Sequence, residues 1–420
     1  MHQHSPSRED PVAATLSEVV GGPVGEHAAG HWWWNAGRAL LGATAVALAA
    51  GMVSKTACVP SGWSTGTQPY AELCWTDVAG VSSDRGTPPH VTTYLERAAA
   101  ALPGTGTVAT AAALAVLLAA IALLATALLV RVDRRRPWAA AGLAMAPVLV
   151  VHWLSWDLIA GVGVAVLLWG WATGRPWVAG IGAGIGAAFA LPVGVAFAGV
   201  IAVGGRTRER IDALLAAGAA YVVVTLPGRA RTEDPDVGSI WQFLEQAGPG
   251  LPSRTVRIGA ALVVLALASG AVLRLVSRTR RPDAVTAARA GLVMLAAALL
   301  VTPTAPPESA LLMLPLAAIG VRRWRDLLIW QGCEMVSWVI TGWYLGQAIV
   351  PTVSDDARAY WLAILLRVIG LLWLVGTVLR AAVTESGVGP GSGDDDVVEV
   401  GRSEADPDLD GLSDSGHARA

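Results

Sequence analysis

Two aspartates stand where a side chain could do chemistry. Asp77 lies between the first and second long apolar runs of the chain, and Asp157 lies at the junction of the third and fourth. A carboxylate in such a place can act as a general base, because it can take the proton of a hydroxyl group as that oxygen attacks. The alternatives are a solvated loop aspartate and, for Asp157, an N-cap for a helix starting at Leu158.

The apolar runs that position these aspartates predict a membrane protein. With 54% hydrophobic and 15% charged residues, most of the chain could not form a soluble globule of ordinary design. A spanning helix needs roughly 20 apolar residues. The runs that approach this length are Ala39–Val53, Val108–Val130, Trp138–Trp153, Leu158–Trp171, Leu214–Leu226, Val256–Val276, Ala288–Val301, Ala310–Val321, Leu327–Leu345 and Trp361–Val378.

One further apolar stretch, Val178–Val203, is long for a single crossing and is interrupted by Ala190-Leu-Pro192. It predicts a helical hairpin that enters and leaves from one side of the membrane. The fold class is therefore an all-α polytopic membrane protein with about ten transmembrane helices plus this hairpin. No strand is predicted before the glycines of the hairpin, so close packing of helices is favoured over a phosphate-binding loop for Gly182, Gly184, Gly186 and Gly194.

Short arginine-rich junctions set the expected orientation. They are Arg131–Arg136, Gly174–Pro176, Arg206–Arg210, Arg278–Arg281 and Arg322–Arg325. The positive-inside rule predicts that these junctions are cytoplasmic. Both termini are then expected on the cytoplasmic side of the cell membrane. Asp77, Asp157, the loop 229–254 and Thr302–Glu308 then face the exterior, where lipid-linked substrates are used in cell-envelope assembly. The expected organisation is a disordered cytoplasmic tail over 1–36, a membrane domain over 37–382 and an acidic disordered cytoplasmic tail over 383–420.

Two cysteines in a loop and two polar residues within an apolar run are further features of the sequence. Cys58 and Cys74 fall in one exterior loop and predict a disulfide that fixes the segment leading to Asp77. Within Leu327–Leu345, Gln331 and Glu334 lie one turn apart, and hydrogen bonding to a neighbouring helix is favoured over a proton pathway. Both are expected near the cytoplasmic end, away from the exterior carboxylates.

Several motifs, taken in order, match a known family. They are Cys74-Trp-Thr-Asp77 after Cys58, Leu154-Ser-Trp-Asp157-Leu158, Pro235-Asp-Val-Gly-Ser-Ile-Trp241, Leu314-Pro-Leu316, Arg323-Trp-Arg325 and Trp330-Gln331 through Glu334. This series resembles the polyprenyl-phosphate-mannose-dependent membrane mannosyltransferases of actinobacteria, glycosyltransferase family 87, which have the GT-C architecture. The resemblance extends from about Cys58 to Arg380 and covers most of the membrane region.

The resemblance implies transfer of a sugar, mannose in that family, from a polyprenyl-phosphate donor to a lipid or glycan acceptor outside the cytoplasm. We expect Asp77 to be the base and Asp157 to position the acceptor or share that role. The candidate groups for the donor phosphate are Arg229, Arg231, Arg254, Arg257 and His152, although packing is an equal alternative for His152. Membrane lipid is an expected partner, whereas no nucleic acid, metal or cofactor is expected.

The chain also departs from the family pattern. Where those enzymes tend to carry Thr-Asn-Lys and Ser-Pro-Gln-Tyr segments, it has Thr302-Pro-Thr-Ala-Pro-Pro-Glu308-Ser309, without a lysine. The hairpin lacks the basic residue often found before Leu-x-Pro. Two alternatives therefore remain open: a polytopic transporter or lipid flippase, and a catalytically silent paralogue of the transferases.

Overall fold

The protein is helical throughout the parts that the structure describes. A computed structural model gives residues 35–59, 66–78, 91–101, 107–134, 136–226, 237–248, 250–279, 283–349 and 357–387, and these ranges contain no strand. Five of the helices in these ranges are long and apolar enough to cross a membrane. The predicted fold class, an all-α polytopic membrane protein, is confirmed, while the total of about ten crossings stays a prediction.

The helices are numbered in chain order. They are α1 (Ala36–Lys55), α2 (Gln68–Ala71), α3 (Val91–Ala100), α4 (Thr107–Val132), α5 (Ala141–Ala144), α6 (Pro147–His152), α7 (Asp157–Ala172), α8 (Pro176–Phe189), α9 (Pro192–Ala202), α10 (Thr207–Thr225), α11 (Ile240–Ala247), α12 (Arg254–Arg278), α13 (Ala284–Val301), α14 (Ala310–Gly320), α15 (Trp324–Leu345) and α16 (Arg358–Gly387). Short 3₁₀ turns occupy Thr56–Cys58, Pro137–Ala140 and Pro307–Ser309.

Capping side chains and prolines set many of the helix boundaries. The side chains of Asn35, Ser239 and Asp283 accept hydrogen bonds from backbone N–H groups in the first turns of α1, α11 and α13. The prediction of a single spanning helix over Trp138–Trp153 is wrong, because this stretch is divided into a 3₁₀ turn, α5 and α6. Pro147 opens α6, and the residue before it, Ala146, is extended as expected before a proline.

The predicted end of the membrane domain at residue 382 stays a prediction. Helix α16 continues through residue 383 to Gly387. At the other end of the domain α1 begins at Ala36, after the capping residue Asn35. The rest of the two expected tails, 1–34 and 388–420, lies outside the described residues.

The helices run between two ends that differ in charge. One end carries Asp77, Asp157 and Glu308, and we call it the site end. The other carries the described parts of the arginine-rich junctions, and we call it the arginine end. Helix α7 descends from the site end, and α8 packs along it and returns. Helix α9 then comes back to the arginine end, where the Trp171 indole N–H donates to Val203 O at 2.9 Å. The predicted hairpin is therefore present, broken at Ala190–Leu191 and opening at the arginine end.

Three of the four hairpin glycines pack as predicted. A Cβ on Gly182 would lie 2.7 Å from Gly163 O on α7, one on Gly184 would meet Ala217 O on α10, and one on Gly186 would lie 2.8 Å from Val193. A Cβ on Gly194 would have its nearest neighbour at 3.6 Å, an ordinary contact. Small residues thus bring α7, α8 and α10 together, as in other membrane bundles.

Burial separates a central layer from a peripheral one. Helices α13 and α14 are buried along most of their length, whereas α12 and α10 expose large apolar side chains such as Leu262, Leu267 and Leu215. An apolar surface of this kind is stable where lipid tails replace water. The site end is therefore supported by a core that lipid does not reach.

The glycine contacts predict a difference between two matched substitutions. Gly182→Ala should lower the stability of the purified protein by about 1–3 kcal/mol, since the added methyl group meets α7 backbone atoms that cannot move alone. Gly194→Ala adds the same methyl group without a close contact and should leave stability unchanged or slightly raised. Thermal unfolding in detergent measures both, and equal stability of the two variants would contradict the packing described.

Candidate active site

Three carboxylates, a lysine and a histidine lie close together at the site end. Asp77, Asp157 and Glu308 lie close enough to act on one another electrostatically. Lys55, the last residue of α1 and the only lysine of the chain, lies within electrostatic reach of Asp77 and Glu308. His152 is buried, with its Nδ1 4.0 Å from Glu308 Oε1. The structure thus brings together Asp77, Asp157 and His152, which the sequence singled out.

Asp77 is held in place by the turn between α6 and α7. The Ser155 hydroxyl donates to Asp77 Oδ2 at 3.0 Å, and the Trp156 backbone N–H lies 3.3 Å from both carboxylate oxygens. The Asp77 side chain is exposed on one side, and protein atoms pack against its other side. Desolvation by them raises the pKa of the Asp77 carboxyl well above its usual range, and the neighbouring Glu308 and Asp157 raise it further, whereas the hydrogen bonds from Ser155 and Trp156 oppose that change.

Asp157 does not cap its helix, so that alternative from the sequence is wrong. Trp156 occupies the N-cap position in an αR conformation, and no side chain makes a capping hydrogen bond there. Asp157 is the first helical residue, and its own N–H donates to the Ser155 hydroxyl at 3.2 Å. Its half-buried carboxylate has no hydrogen-bond partner among the described residues. A carboxylate held in position without a donor is available to a ligand.

A disulfide and a lysine fix the segment that carries Asp77. Cys58 and Cys74 are bonded, with their Cα atoms 5.9 Å apart. Lys55 Nζ donates to Trp75 O at 2.7 Å, and the Thr76 hydroxyl donates to Leu154 O at 2.5 Å. The segment is therefore tied to the end of α1 on one side and to the α6–α7 turn on the other, which limits its motion.

Trp75 connects this segment to Glu308. Its indole N–H donates to Glu308 Oε1 at 2.8 Å, and its ring packs on Trp338 with centroids 5.4 Å apart. Gly342 on α15 permits this approach, because a Cβ there would lie 2.5 Å from the Trp75 ring. His152 meets the same Trp338 edge-on at 5.6 Å. The aromatic cluster thus forms one wall beside the carboxylates.

Arg367 on α16 holds the loop that carries Glu308. Its guanidinium donates to Ala305 O and, at 2.6 Å, to the Ser309 hydroxyl. Its Nε lies 3.1 Å from Glu334 Oε2 on α15, and both side chains are buried. Trp330 donates to the other Glu334 oxygen at 3.1 Å. Glu334 therefore has the partner on a neighbouring helix that the sequence predicted.

The expected distance between Glu334 and the exterior carboxylates is, however, wrong. Arg367 joins Glu334 to Ser309, the neighbour of Glu308 in the chain, and acts electrostatically on both His152 and Asp157. Glu334, which the sequence places within a membrane-spanning helix, is thus linked to the site through the Arg367 guanidinium group.

The segment that resembles the family's Pro-Asp-Trp-Gly-Ser-Leu-Trp loop braces the same region. Its described part begins at Val237, whose carbonyl accepts from Ala305 N at 3.2 Å. Gly238 adopts φ +79°, and a side chain there would collide with Ala305 O. The Gly238 N–H donates to Tyr360 Oη at 2.7 Å, and Trp241 donates to Val301 O at 3.0 Å. These contacts fix the start and the middle of the loop bearing Glu308.

Two of the four predicted phosphate-binding arginines are described, and neither is brought into the cluster. Arg254 and Arg257 lie in the first turn of α12, at the site end, but no hydrogen bond or ion pair joins them to the carboxylates among the described residues. Arg229 and Arg231 lie outside the described residues. His152 is at the cluster, and its buried Nε2 has no hydrogen-bond partner in the described ranges.

The sequence alone did not assign Lys55, Trp75, Glu308 or Arg367 to the site. A signal existed for Arg367, since it interrupts the apolar run Trp361–Val378 and an intramembrane charge needs a reason. Cys58, Glu72 and Cys74 lie together in a way that could hold a metal ion, but the disulfide already occupies both sulfur atoms. No protein-family model, curated protein or solved structure matches the chain.

The Glu334–Arg367 pair predicts an asymmetric response to charge removal. Arg367→Gln should destabilise the protein by about 3–5 kcal/mol, because it leaves the buried Glu334 carboxylate unpaired and frees the loop at Ala305. The double variant with Glu334→Gln should recover part of that loss, since no buried charge then lacks a partner. Thermal unfolding of the single and double variants measures the coupling, and strict additivity would contradict it.

Proposed function

We propose that the protein is a membrane glycosyltransferase of the GT-C type that moves a sugar from a polyprenyl-phosphate donor to a lipid or glycan acceptor at the site end. The observation that carries this proposal is the partner-free carboxylate of Asp157, as far as the described residues show, within a group of carboxylates braced from several helices. The motif resemblance supplies the donor class and mannose as the sugar. In the proposed orientation the arginine end faces the cytoplasm and the site end faces the exterior.

The reaction has one bond-forming and one bond-breaking event. An acceptor hydroxyl oxygen attacks the anomeric carbon of the sugar and forms the new C–O bond. The bond from that carbon to the donor phosphate oxygen breaks, and its electron pair leaves with the polyprenyl phosphate. The hydroxyl proton passes to a carboxylate. Because attack and departure occur on opposite faces of the carbon in one displacement, the anomeric configuration inverts. A phosphate leaving group does not need to be protonated first, and one base is enough.

The geometry favours Asp157 over Asp77 as that base. The Asp77 carboxylate is engaged by Ser155 and Trp156, whereas the Asp157 carboxylate has no described partner and its backbone is fixed by the same serine. We therefore assign proton removal to Asp157 and positioning of the α6–α7 turn to Asp77. This exchanges the two roles expected from the sequence and keeps both residues in the site.

The remaining groups supply positive charge and a wall for the ligand. Lys55 and Arg367 lie among the carboxylates and offset part of their negative charge, which lowers the electrostatic cost of admitting a phosphate-bearing donor. His152 offers a buried Nε2 without a described partner, which suits a ligand oxygen. Trp75 and Trp338 offer apolar ring surface, of the kind that sugars and isoprenoid chains pack against.

The exchanged roles predict different losses for two conservative variants. Asp157→Asn should lower transfer by roughly 10²–10⁴-fold, because it removes the base while keeping the side chain's size. Asp77→Asn should cost about tenfold or less, since an amide can still accept from Trp156 and meet the Ser155 hydroxyl. The assay follows sugar transfer from polyprenyl-phosphate mannose in membranes, with immunoblots to equalise the amount of protein.

Glu245→Gln is the matched control, because Glu245 is an exposed carboxylate at the same end with no described contact to the cluster. It should transfer at the parental rate. Near-parental transfer by Asp157→Asn would exclude it as the base, and a larger loss for Asp77→Asn would restore the opposite assignment. A parent protein silent with every acceptor tried would favour the transporter or the silent paralogue.

The orientation predicts which surface positions a reagent outside the cell can reach. In a Cys333→Ser background, a membrane-impermeant maleimide should label Thr255→Cys and Ala348→Cys, which are exposed at the site end. Arg208→Cys and Ser277→Cys, which are exposed at the arginine end, should react only after the cells are opened. The reverse pattern would place Asp157 in the cytoplasm and remove the proposed exterior transfer.

A further inference from the structure

Helix α3 lies beside the site end and brings one more carboxylate to it, that of Glu96. Leu95 and Ala99, one turn apart on this helix, pack against the hydrophobic core, and the helix lies against α4. Tyr94 and Arg97 are exposed, with the Arg97 guanidinium 6.0 Å from the centroid of the Tyr94 ring. Glu96 is half-buried. The apolar contacts of α3 thus hold this carboxylate against the bundle.

The partner of Glu96 is Trp156, in the turn between α6 and α7. The Trp156 indole N–H donates a hydrogen bond to the Glu96 carboxylate. Desolvation raises the pKa of the Glu96 carboxyl, and this hydrogen bond opposes that rise. The Trp156 side chain is buried, so its N–H needs an acceptor within the protein. Glu96 supplies it and thereby joins α3 to the turn.

The backbone of Trp156 holds both ends of this turn. Its N–H lies 3.3 Å from both oxygens of Asp77, and its carbonyl accepts from Ile159 N at 3.0 Å. Both contacts are made with Trp156 in a helical conformation, at φ −64° and ψ −25°. A residue before a helix more often has extended backbone angles. The hydrogen bond from its indole to Glu96 ties the side chain of this residue to a separate helix.

The same conformation keeps the Asp157 carboxylate from capping α7. A capping aspartate accepts from a backbone N–H in the first turn of its helix, and Ile159 would supply that N–H to Asp157. In this structure the Ile159 N–H is already bonded to Trp156 O. If Trp156 left its helical conformation, Ile159 would lose that acceptor and the Asp157 carboxylate would replace it. Asp157 would then be occupied and not open to a ligand hydroxyl.

We propose that Glu96 is a positioning residue of the transfer site: its hydrogen bond from the Trp156 indole holds the α6–α7 turn in the conformation that leaves the Asp157 carboxylate open. Glu96 acts through Trp156 and takes no proton from the substrate, so a neutral acceptor at this position is enough. The role of Glu96 in transfer rests on the proposed function, whereas its hold on the turn does not.

The first test measures the kinetics of sugar transfer by the full-length protein. Glu96→Ala removes the acceptor, and Trp156→Phe removes the N–H donor while keeping an aromatic ring. Each should lower kcat by about tenfold and leave KM for the donor within about twofold, because a hydrogen bond to a charged group is lost away from the substrate. The double variant should lose no more than either single variant. Glu96→Gln, whose amide oxygen still accepts, should keep kcat within about twofold of the parent.

The second test follows hydrogen exchange of the turn by mass spectrometry in nanodiscs and needs no transfer activity. Peptides that contain Trp156 and Ile159 should exchange about tenfold faster in Glu96→Ala and Trp156→Phe, and at the parental rate in Glu96→Gln. Arg97→Gln is the matched control, because Arg97 is the exposed neighbour of Glu96 and its described contact is with Tyr94. It should match the parent in both tests.

Parental exchange in Glu96→Ala would overturn the proposal whether or not the protein transfers a sugar. A fall in kcat for Glu96→Gln as large as that for Glu96→Ala would also overturn it, since the charge of Glu96 and not its hold on Trp156 would then matter. Faster exchange in Glu96→Ala, in a protein that transfers sugar to no acceptor tried, would support the hold of Glu96 on the turn and contradict the proposed function alone.

Discussion

The structure at the site end depends on one buried guanidinium group. Arg367 enters the bundle on α16, where its charge could not remain without a partner, and Glu334 on α15 supplies the opposite charge. The Nη1 group of Arg367 donates to Ala305 O, and its Nη2 group donates to the Ser309 hydroxyl. A single side chain therefore joins two helices to the loop that carries Glu308, and the same electrostatic balance reaches Asp157 and His152.

The rest of the site is fixed by local anchors that converge on this centre. The disulfide and Lys55 hold the segment before Asp77, and Ser155 holds Asp77 against the first turn of α7. Trp75 then joins that segment to Glu308. Because these anchors come from the end of α1, the α6–α7 turn and the loop before α14, the three carboxylates keep their relative positions only if the bundle stays assembled. The close glycine contacts between α7 and α8 thus help to keep the site residues in position, although they lie away from the site.

The features that could be predicted from the sequence are those set by nearby residues. The hairpin follows from Pro192 within an apolar stretch, and the nearness of Cys58 to Cys74 follows from their sharing one loop. The pairing of Arg367 with Glu334 could not be predicted, because it depends on which helices meet in the bundle. The same holds for Asp157, since its place as first helical residue depends on Trp156 adopting a helical conformation beneath Asp77.

Asp157 also bears on the difference between an enzyme and a silent scaffold. A carboxylate among protein atoms, with two other carboxylates nearby and no donor of its own in the described residues, costs stability. An amide or an apolar side chain of similar size would avoid that cost if the position only filled space. The Ser155 hydroxyl receives the Asp157 N–H and donates to Asp77, so the turn gives its donors to one aspartate and leaves the other open. The donors of the turn are directed to Asp77. This is expected if a ligand hydroxyl donates the missing hydrogen bond to the Asp157 carboxylate.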